Sequence, residues 1–280
     1  MIPIGIFDSG YGGLTVLREI RRLLPEYDYL YLGDNARAPY GPRSFERVYE
    51  FTLQAVRRLF DFGCPLVILA CNTASAKALR TIQQHDLPQL FPPLPGEVLP
   101  SRRVLGVIRP TAEMVGELSH SRHIGIVATQ GTINSQTYEL EIAKLYPDIT
   151  VVGQACPMWV SLVENDEVDS DGADYFVHRD LQRLLQRDPM IDTIILGCTH
   201  FPLLIKKIRA HTPAHVRLVS QGDYVARSLR GYLQRHSLID SLLTRGGSVR
   251  FFTTEQPSNF APSAATFLGH AVEASQIKLG

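Results

Sequence analysis

The sequence predicts an α/β protein with two similar lobes, each a mostly parallel sheet flanked by helices. A pseudo-two-fold axis relates the lobes, and the active site is predicted in the cleft between them. Short apolar runs alternate with segments of helical periodicity, the pattern of strand–helix–strand units. Residues 4–10 resemble residues 124–130, which indicates a faint internal repeat. Cys71 and Cys198 each follow an apolar run, one in either half of the chain, so they are predicted at equivalent strand ends.

The first third of the chain contains three strand–helix alternations. Residues 4–7 are predicted as the first strand, and apolar residues at spacings of three and four over 14–24 predict a helix. Residues 27–32 are predicted as the second strand. Ser44 is a suitable N-cap for the next helix. Residues 66–70, aliphatic throughout, predict a third strand that is buried on both faces.

A proline-rich segment separates the two predicted lobes. Five prolines fall between residues 88 and 100, a density that neither a helix nor a central strand sustains. We therefore expect the chain to cross between the lobes there. The first lobe is predicted to comprise residues 1–97 and 213–280, and the second lobe residues 98–212.

The same alternation resumes after the prolines. The predicted strands are 104–108, 124–128, 149–152, 193–196, 217–219 and 249–253. The predicted helices lie near 132–145, 174–186, 223–235 and 263–271. The last strand and helix are expected to return to the first lobe.

Composition excludes several classes of protein. A net charge of +0 gives no reason to expect a nucleic-acid partner. No run approaches the ~18 apolar residues of a membrane span, and the N-terminal residues lack the basic region of a signal peptide. We therefore expect a cytoplasmic protein with no membrane partner. Four cysteines in a reducing compartment predict free thiols rather than disulfides, and their spacing predicts no metal site.

The residues around the two cysteines point to acid–base chemistry. Residues 8–13, Asp-Ser-Gly-Tyr-Gly-Gly, leave the first strand and open a helix, where an anion is favoured. They match neither a dinucleotide fingerprint nor a phosphate loop, so no nucleotide cofactor is expected. A helix start should lower the pKa of each thiol. Asp8 could exchange a proton with Cys71, and His200 with Cys198. A cysteine hydrolase would also use a thiol and a histidine, but would leave the second cysteine without a role.

Six motifs, in order along nearly the whole chain, resemble those of the glutamate racemases in the cofactor-independent aspartate/glutamate racemase superfamily. They are Asp8-Ser9-Gly10-x-Gly12-Gly13-Leu14-Thr15-Val16, Gly33-Asp34 with Pro39-Tyr40-Gly41, Ala70-Cys71-Asn72-Thr73-Ala74-Ser75, Ala128-Thr129-x-Gly131-Thr132, Gly197-Cys198-Thr199-His200-Phe201-Pro202-Leu203 and Phe267-Leu268-Gly269.

The resemblance implies that Cys71 and Cys198 are the two catalytic acid/base groups, assisted by Asp8 and His200. The substrate contacts that it implies are Asp8, Ser9, Tyr40, Gly41, Asn72, Thr73, Thr199 and His200. It further implies interconversion of L- and D-glutamate without a cofactor, a role in peptidoglycan synthesis, and a homodimer. Two alternatives stay open: a related racemase or isomerase for another acidic substrate, and a non-catalytic two-lobed protein that binds an acidic metabolite.

Some residues depart from the family pattern or are predicted to be structural. Tyr11 replaces a smaller aliphatic residue and could narrow the pocket, and Gln221 lies in a segment where many members have Asp-Ser-Gly. The acidic stretch 164–174 is interpreted as a solvated loop that enters a helix. Cys64 and Cys156 are predicted to be packing residues. Trp159 fits either the core or a wall of the cleft.

Overall fold

The computed structural model describes residues 1–92 and 101–279 of the chain, with ten strands and fourteen α-helices in that part. The strands are β1 Ile4–Asp8, β2 Tyr29–Gly33, β3 Leu66–Leu69, β4 Arg103–Gly106, β5 His123–Ala128, β6 Thr150–Ala155, β7 Thr193–Gly197, β8 Arg217–Val219, β9 Val249–Thr253 and β10 Ala274–Gln276.

The helices lie between the strands along most of the chain. They are α1 Gly13–Leu23, α2 Phe45–Asp61, α3 Asn72–Lys77, α4 Leu79–Thr81, α5 Leu87–Leu90, α6 Ile108–Leu118, α7 Gln130–Asn134, α8 Thr137–Leu145, α9 Trp159–Glu164, α10 Asp171–Arg187, α11 Ile205–Ala210, α12 Gly222–Arg235, α13 Ser237–Leu242 and α14 Pro257–Leu268. Two 3₁₀ helices, Asn35–Arg37 and Phe201–Leu204, and a π-helix, Ile82–Asp86, complete the set within the described residues.

The strands form two separate parallel sheets. The larger sheet has the order β10-β9-β2-β1-β3-β4, and the smaller has β6-β5-β7-β8. Every recorded strand pair is parallel. The order β2-β1-β3-β4 in the larger sheet has the same connectivity as β6-β5-β7-β8, which agrees with the predicted internal repeat. The predicted fold class, two parallel-sheet lobes flanked by helices, is confirmed.

The central strands are aliphatic because both of their faces are covered. All residues of β1, β3 and β7 are buried. Parallel strands covered by helices on both faces have this continuous apolar character. The predicted ranges for β3 and β8 agree with the structure to within a residue. Packing on both faces therefore fixes the carboxyl ends of these strands. The positions of the residues that follow the strands are fixed with them.

The crossovers between the lobes lie one strand later than predicted. The predicted boundary at 97/98 falls outside the described residues, but β4 pairs with β3 and so completes the larger sheet. Its successor α6 packs with the second lobe, where Ile108 joins Ile124 in one core. Likewise β8 pairs with β7, and α12 then packs against α1. In each sheet the strand before the crossover, β4 or β8, pairs at the edge with β3 or β7. The positions of the prolines give no information about this pairing.

Two helical predictions differ from the structure. The helix predicted near 132–145 is two helices, because Gln136 adopts a left-handed conformation (φ 53°) between α7 and α8. Pro88, which was expected to lie in a segment without helix, occupies the first turn of α5. The π-helix Ile82–Asp86 runs directly into α5, so this proline lies within a continuous helical stretch. No helix among the described residues is long and apolar enough to cross a membrane.

Replacing Ser44 with alanine should destabilise the protein. The Ser44 side chain accepts a hydrogen bond from the Arg47 backbone N–H at 3.3 Å, as its N-cap role predicts. We expect the free energy of unfolding in urea to fall by about 1 kcal/mol. Ser258→Ala, at an exposed position in α14, is the control and should change it by less than about 0.5 kcal/mol. Equal values for the two variants would contradict this capping role.

Candidate active site

A cavity of about 200 Å³ lies where strands of both sheets end. All ten residues that the sequence singled out line it. They are Asp8, Ser9, Tyr40, Gly41, Cys71, Asn72, Thr73, Cys198, Thr199 and His200. Asp8 is the last residue of β1, and Cys198 directly follows β7. Ligand sites in open parallel sheets are found at such strand ends.

Cys71 enters the cavity from the first lobe. Its thiol caps α3 by accepting a hydrogen bond from the Ala74 N–H at 3.4 Å. The Ser9 hydroxyl lies 3.3 Å from the same sulfur. Only 5% of Cys71 is exposed to solvent. The predicted helix start after this cysteine is therefore correct.

Cys198 enters from the second lobe in a different local setting. A turn and then the 3₁₀ helix Phe201–Leu204 follow it, and the α-helix α11 begins only at Ile205. The prediction that a helix begins directly after Cys198 was wrong, because Pro202 and the turn delay regular helix formation. The polar partner of this thiol is His200, whose Nδ1 lies 3.8 Å from Sγ.

His200 connects Cys198 to a carboxylate. Its Nε2 lies 3.0 Å from Glu164 Oε1, and the imidazole is 5% exposed. Burial alone would lower the pKa of His200, but its hydrogen bonds with Cys198 and Glu164 outweigh burial and raise the pKa to about 10. At neutral pH His200 is therefore protonated, and both of its ring nitrogens donate. The imidazolium therefore places a positive charge beside the Cys198 sulfur.

The thiol of Cys71 has the opposite electrostatic environment. Burial, and then the negative charge of Asp8, raise the pKa of Cys71 to about 12, against the smaller effects of its hydrogen bonds with Ser9 and Ala74. The expectation that the helix start lowers this pKa was wrong, because desolvation outweighs one N–H donor. At neutral pH Cys71 is a thiol. The two cysteines are thus equivalent in topology but have different neighbours, the Asp8 carboxyl group at Cys71 and the His200 imidazolium at Cys198.

Asp8 is held by the glycine-rich turn rather than by Cys71. Its Oδ2 accepts a hydrogen bond from the Gly10 N–H at 2.9 Å, and Gly13 contributes a second backbone donor. Burial nevertheless raises the pKa of Asp8, partly offset by the charge of His200. Within the described residues, Ser9 rather than Asp8 is the hydrogen-bond partner of Cys71. Asp8 acts on Cys71 through charge in this geometry.

Tyr40 is fixed at one wall of the cavity by a buried carboxylate. Its hydroxyl donates to Asp34 Oδ2 at 2.5 Å, and Asp34 also binds Arg37. Thr254 donates to the other carboxylate oxygen. Asp34 is fully buried, so these three donors compensate for its desolvation. The neighbouring Gly41 lies opposite Thr129 of the second lobe.

Several cavity residues were not predicted. Glu164 lay in the stretch interpreted as a solvated loop, but it ends α9 and reaches His200. The Thr129 hydroxyl lies 3.0 Å from that of Thr73 and 3.1 Å from that of Thr132. Thr129 directly follows β5, so its strand-end position was a usable signal. The remaining lining residues are Ala38, Pro39, Pro42, Gln130, Pro157, Val160 and Ser161.

Tyr11 does not narrow the cavity. Its ring stacks on Phe260 and Phe267 of α14, with centroids 5.6 and 6.1 Å away, and it does not line the site. Phe267 in turn meets the His200 ring edge-on at 5.5 Å. A Cβ at Gly12 would overlap Thr199 and His200, so glycine is required for this close approach. The expectation about Tyr11 was therefore wrong.

The residues predicted to be structural lie outside the cavity lining. Trp159 is fully buried and packs on Phe201 with ring centroids 4.7 Å apart, so it belongs to the core beneath the site. Cys64 and Cys156 are buried free thiols. Burial raises the pKa of Cys64 to about 12 and that of Cys156 well above its usual value. They act as packing residues, as predicted.

The chain belongs to the Asp/Glu/Hydantoin racemase family, whose family model matches residues 4–229. It is 39% identical to a glutamate racemase of Levilactobacillus brevis, with 95% of this chain and 91% of the relative covered. It is 36% identical to a glutamate racemase of Streptococcus agalactiae serotype III, with 99% and 98% covered. The resemblance recognised in the motifs is thereby confirmed.

Two solved structures are similar over nearly their full length. A glutamate racemase isoform from Bacillus anthracis superposes with a TM-score of 0.86 at 35% identity, with 99% of this chain and 97% of that chain covered. The glutamate racemase of Francisella tularensis, solved with D-glutamate, superposes with a TM-score of 0.84 at 30% identity and the same coverage. The two-lobed architecture is shared with these enzymes.

Replacing Glu164 with glutamine should lower the pKa of His200. The substitution keeps the side-chain size but removes one negative partner of the imidazolium. NMR titration of the His200 ring should show protonation retained to about pH 10 in the native protein and lost at a lower pH in the variant. The stability that protonated His200 provides is complete below the unfolded pKa of ~6.5 and is lost as pH rises through the folded value.

Glu167→Gln is the matched control, because Glu167 is an exposed carboxylate that follows α9. This variant should leave the His200 titration unchanged. A native His200 that titrates near pH 6.5, or an equal effect of both variants, would contradict the assignment.

Proposed function

We propose that this protein interconverts L-glutamate and D-glutamate by proton transfer at Cα between two cysteines, without a cofactor. The observation that carries the proposal is the pair Cys71 and Cys198, delivered to one cavity by equivalent strands of two sheets. Racemisation removes a proton from one face of Cα and returns a proton to the other face. Two groups from opposite lobes perform both transfers without the substrate turning over.

The step balances without any further reactant. One cysteine thiolate takes the Cα proton, so an S–H bond forms as the C–H bond breaks. The electron pair stays on the substrate and spreads from Cα onto the adjacent carboxylate. The thiol of the other cysteine then gives its proton to the opposite face, and a new C–H bond forms. The two cysteines end with their protonation states exchanged.

The polar groups of the cavity support the charge that develops in this step. The hydroxyls of Thr73 and Thr199 and the Asn72 amide are donors at the cavity wall. Among the described lining residues, His200 is the one basic side chain, so these neutral donors carry much of the recognition of carboxylates. Donors fixed before the reaction stabilise developing charge without reorganising.

The two cysteines have different neighbours in the cavity. A protonated imidazole lies beside Cys198, while burial and the charge of Asp8 raise the pKa of Cys71. By the family resemblance, Cys198 removes the proton of L-glutamate and Cys71 that of D-glutamate.

Glutamate is the substrate best supported by the relatives. Curated glutamate racemases are 39% and 36% identical over nearly the whole chain, and a neighbour at 30% identity was solved with D-glutamate. We further propose that the protein supplies D-glutamate for peptidoglycan in the cytoplasm. The basis for both statements is the family resemblance.

The enzyme should label glutamate at Cα in deuterated water while it interconverts the enantiomers. Cys71→Ala and Cys198→Ala should each lower the rate of racemisation by about 10²–10⁴-fold or more, because each removes one acid/base group. Proton NMR follows the loss of the Cα signal, and chiral chromatography follows the enantiomers.

Cys64→Ala and Cys156→Ala are the matched controls, since both are buried thiols outside the cavity. They should retain racemisation within about tenfold of the native rate. Binding of glutamate without exchange would favour a non-catalytic protein. Exchange with another acidic substrate but not with glutamate would favour a related isomerase.

We also propose that the protein is a homodimer, as the family resemblance implies. Sedimentation equilibrium should give a mass near twice the 31.3 kDa of one chain. A mass equal to one chain across micromolar concentrations would contradict this assignment, without bearing on the chemistry of the cavity.

A further inference from the structure

Three buried side chains form a closed ring of hydrogen bonds behind the cavity. Asn72 Nδ2 donates to Gln221 Oε1 at 2.7 Å. Gln221 Nε2 donates to the Tyr138 hydroxyl at 2.5 Å. The Tyr138 hydroxyl donates to Asn72 Oδ1 at 2.8 Å and so closes the ring. Each of the three side chains both donates and accepts once within it.

The ring determines the orientation of the Asn72 amide. Because Tyr138 donates to Oδ1 and Gln221 accepts from Nδ2, a flipped amide would place two acceptor oxygens face to face and leave the Tyr138 hydroxyl proton without its acceptor. Burial keeps the pKa of Tyr138 well above its usual value, so its hydroxyl remains a donor. Asn72, Tyr138 and Gln221 are 3%, 1% and 4% exposed, so water does not substitute readily for a lost partner.

Gln221 also joins the two segments where the chain crosses between the lobes. It lies between β8 and α12, and its Nε2 donates to the Val107 carbonyl, between β4 and α6, at 3.1 Å. Thr111 Oγ1 lies 3.4 Å from the same nitrogen. The Gln221 amide is thus hydrogen-bonded to Val107 in the other crossover segment and to Asn72, which lines the cavity.

We propose that Gln221 is a positioning residue, which holds the Asn72 amide so that its second Nδ2 proton faces the substrate carboxylate. The amide nitrogen carries two protons, and among the described residues Gln221 is the acceptor of one. Asn72 lines the cavity, so the other proton serves the ligand. Gln221 itself does not line the cavity and acts through Asn72. The identity of the ligand rests on the proposed function, but the ring of hydrogen bonds does not.

The test uses two variants that break the ring at different bonds. Gln221→Leu removes the acceptor of Asn72 and the donor to Tyr138, and Tyr138→Phe removes the donor to Asn72. In both variants Asn72 loses one of its two partners. Gln83→Leu is the control, because the exposed Gln83 donates an amide hydrogen bond to the Val104 carbonyl at 2.7 Å, away from Asn72.

Steady-state kinetics on the full chain should separate positioning from general destabilisation. We expect kcat/KM for glutamate to fall about tenfold in Gln221→Leu and in Tyr138→Phe, since buried donors and acceptors lose their partners. Gln83→Leu should stay within about twofold of the native value. The slow turnover of Asn72→Ala can be measured by deuterium uptake at Cα. Adding Gln221→Leu to this variant should lower the turnover no further, because the residue that Gln221 positions is already gone.

An NMR measurement without substrate tests the ring independently. The side-chain amide signals of Asn72, assigned by their absence in Asn72→Ala, should move in both ring variants and stay in place in Gln83→Leu. A native protein that does not racemise glutamate would refute the proposed function, and this measurement would then decide the role of Gln221.

Three results would overturn the inference. One is kcat/KM in both ring variants within twofold of the control. Another is a fall in turnover from Gln221→Leu that is as large in the Asn72→Ala background as in the native protein, which would mean that Gln221 does not act through Asn72. The third is Asn72 amide signals that do not move when the ring is broken. If Gln221→Leu does not fold, Tyr138→Phe carries the same test.

Discussion

One buried imidazole places a positive charge inside the cavity. A buried thiolate is costly unless a cation or donors compensate for its lost hydration. His200 Nδ1 lies beside the Cys198 sulfur, and hydrogen bonds with Cys198 and Glu164 raise the pKa of the imidazole. On the Cys71 side, burial and the charge of Asp8 raise the pKa of the thiol. The Gly12 contact and the edge of Phe267 hold the imidazole in the orientation that makes this difference.

The predicted fold agrees with the structure where local pattern decides it. Aliphatic runs became the buried strands, and the parallel arrangement followed from their alternation with helices. The lobe boundaries differed because pairing of β4 with β3 depends on contacts between distant segments. Proline density reports local chain geometry and carries no information about which sheet a later strand joins. Gln136 broke a predicted helix because a single left-handed residue leaves apolar periodicity nearly intact.

The candidate site could be predicted wherever a residue follows a parallel strand, because the carboxyl ends of such strands meet. Eight of the ten predicted residues line the cavity for this reason, whereas Tyr40 and Gly41 lie in the loop after Asn35–Arg37 and were predicted from the family resemblance. Glu164 could not be recognised in this way, since it ends a helix and reaches His200 only through tertiary packing. The same applies to Tyr11, whose ring turned toward α14 because two phenylalanines stack on it there. The pKa of Cys71 is shifted upward rather than downward as predicted, because burial cannot be judged from a helix-start motif.

The insertion of one lobe within the other affects the order of folding during synthesis. The smaller sheet is complete once β8 has emerged, whereas β2 of the larger sheet pairs with β9, with Tyr29 opposite Val249. A nascent chain therefore holds β2 with an unpaired edge until β9, which ends at Thr253, has been made. Such contacts of high sequence separation slow folding, and an open apolar edge invites pairing with other chains. Pairing of the C-terminal strands β9 and β10 thus completes the sheet of the first lobe.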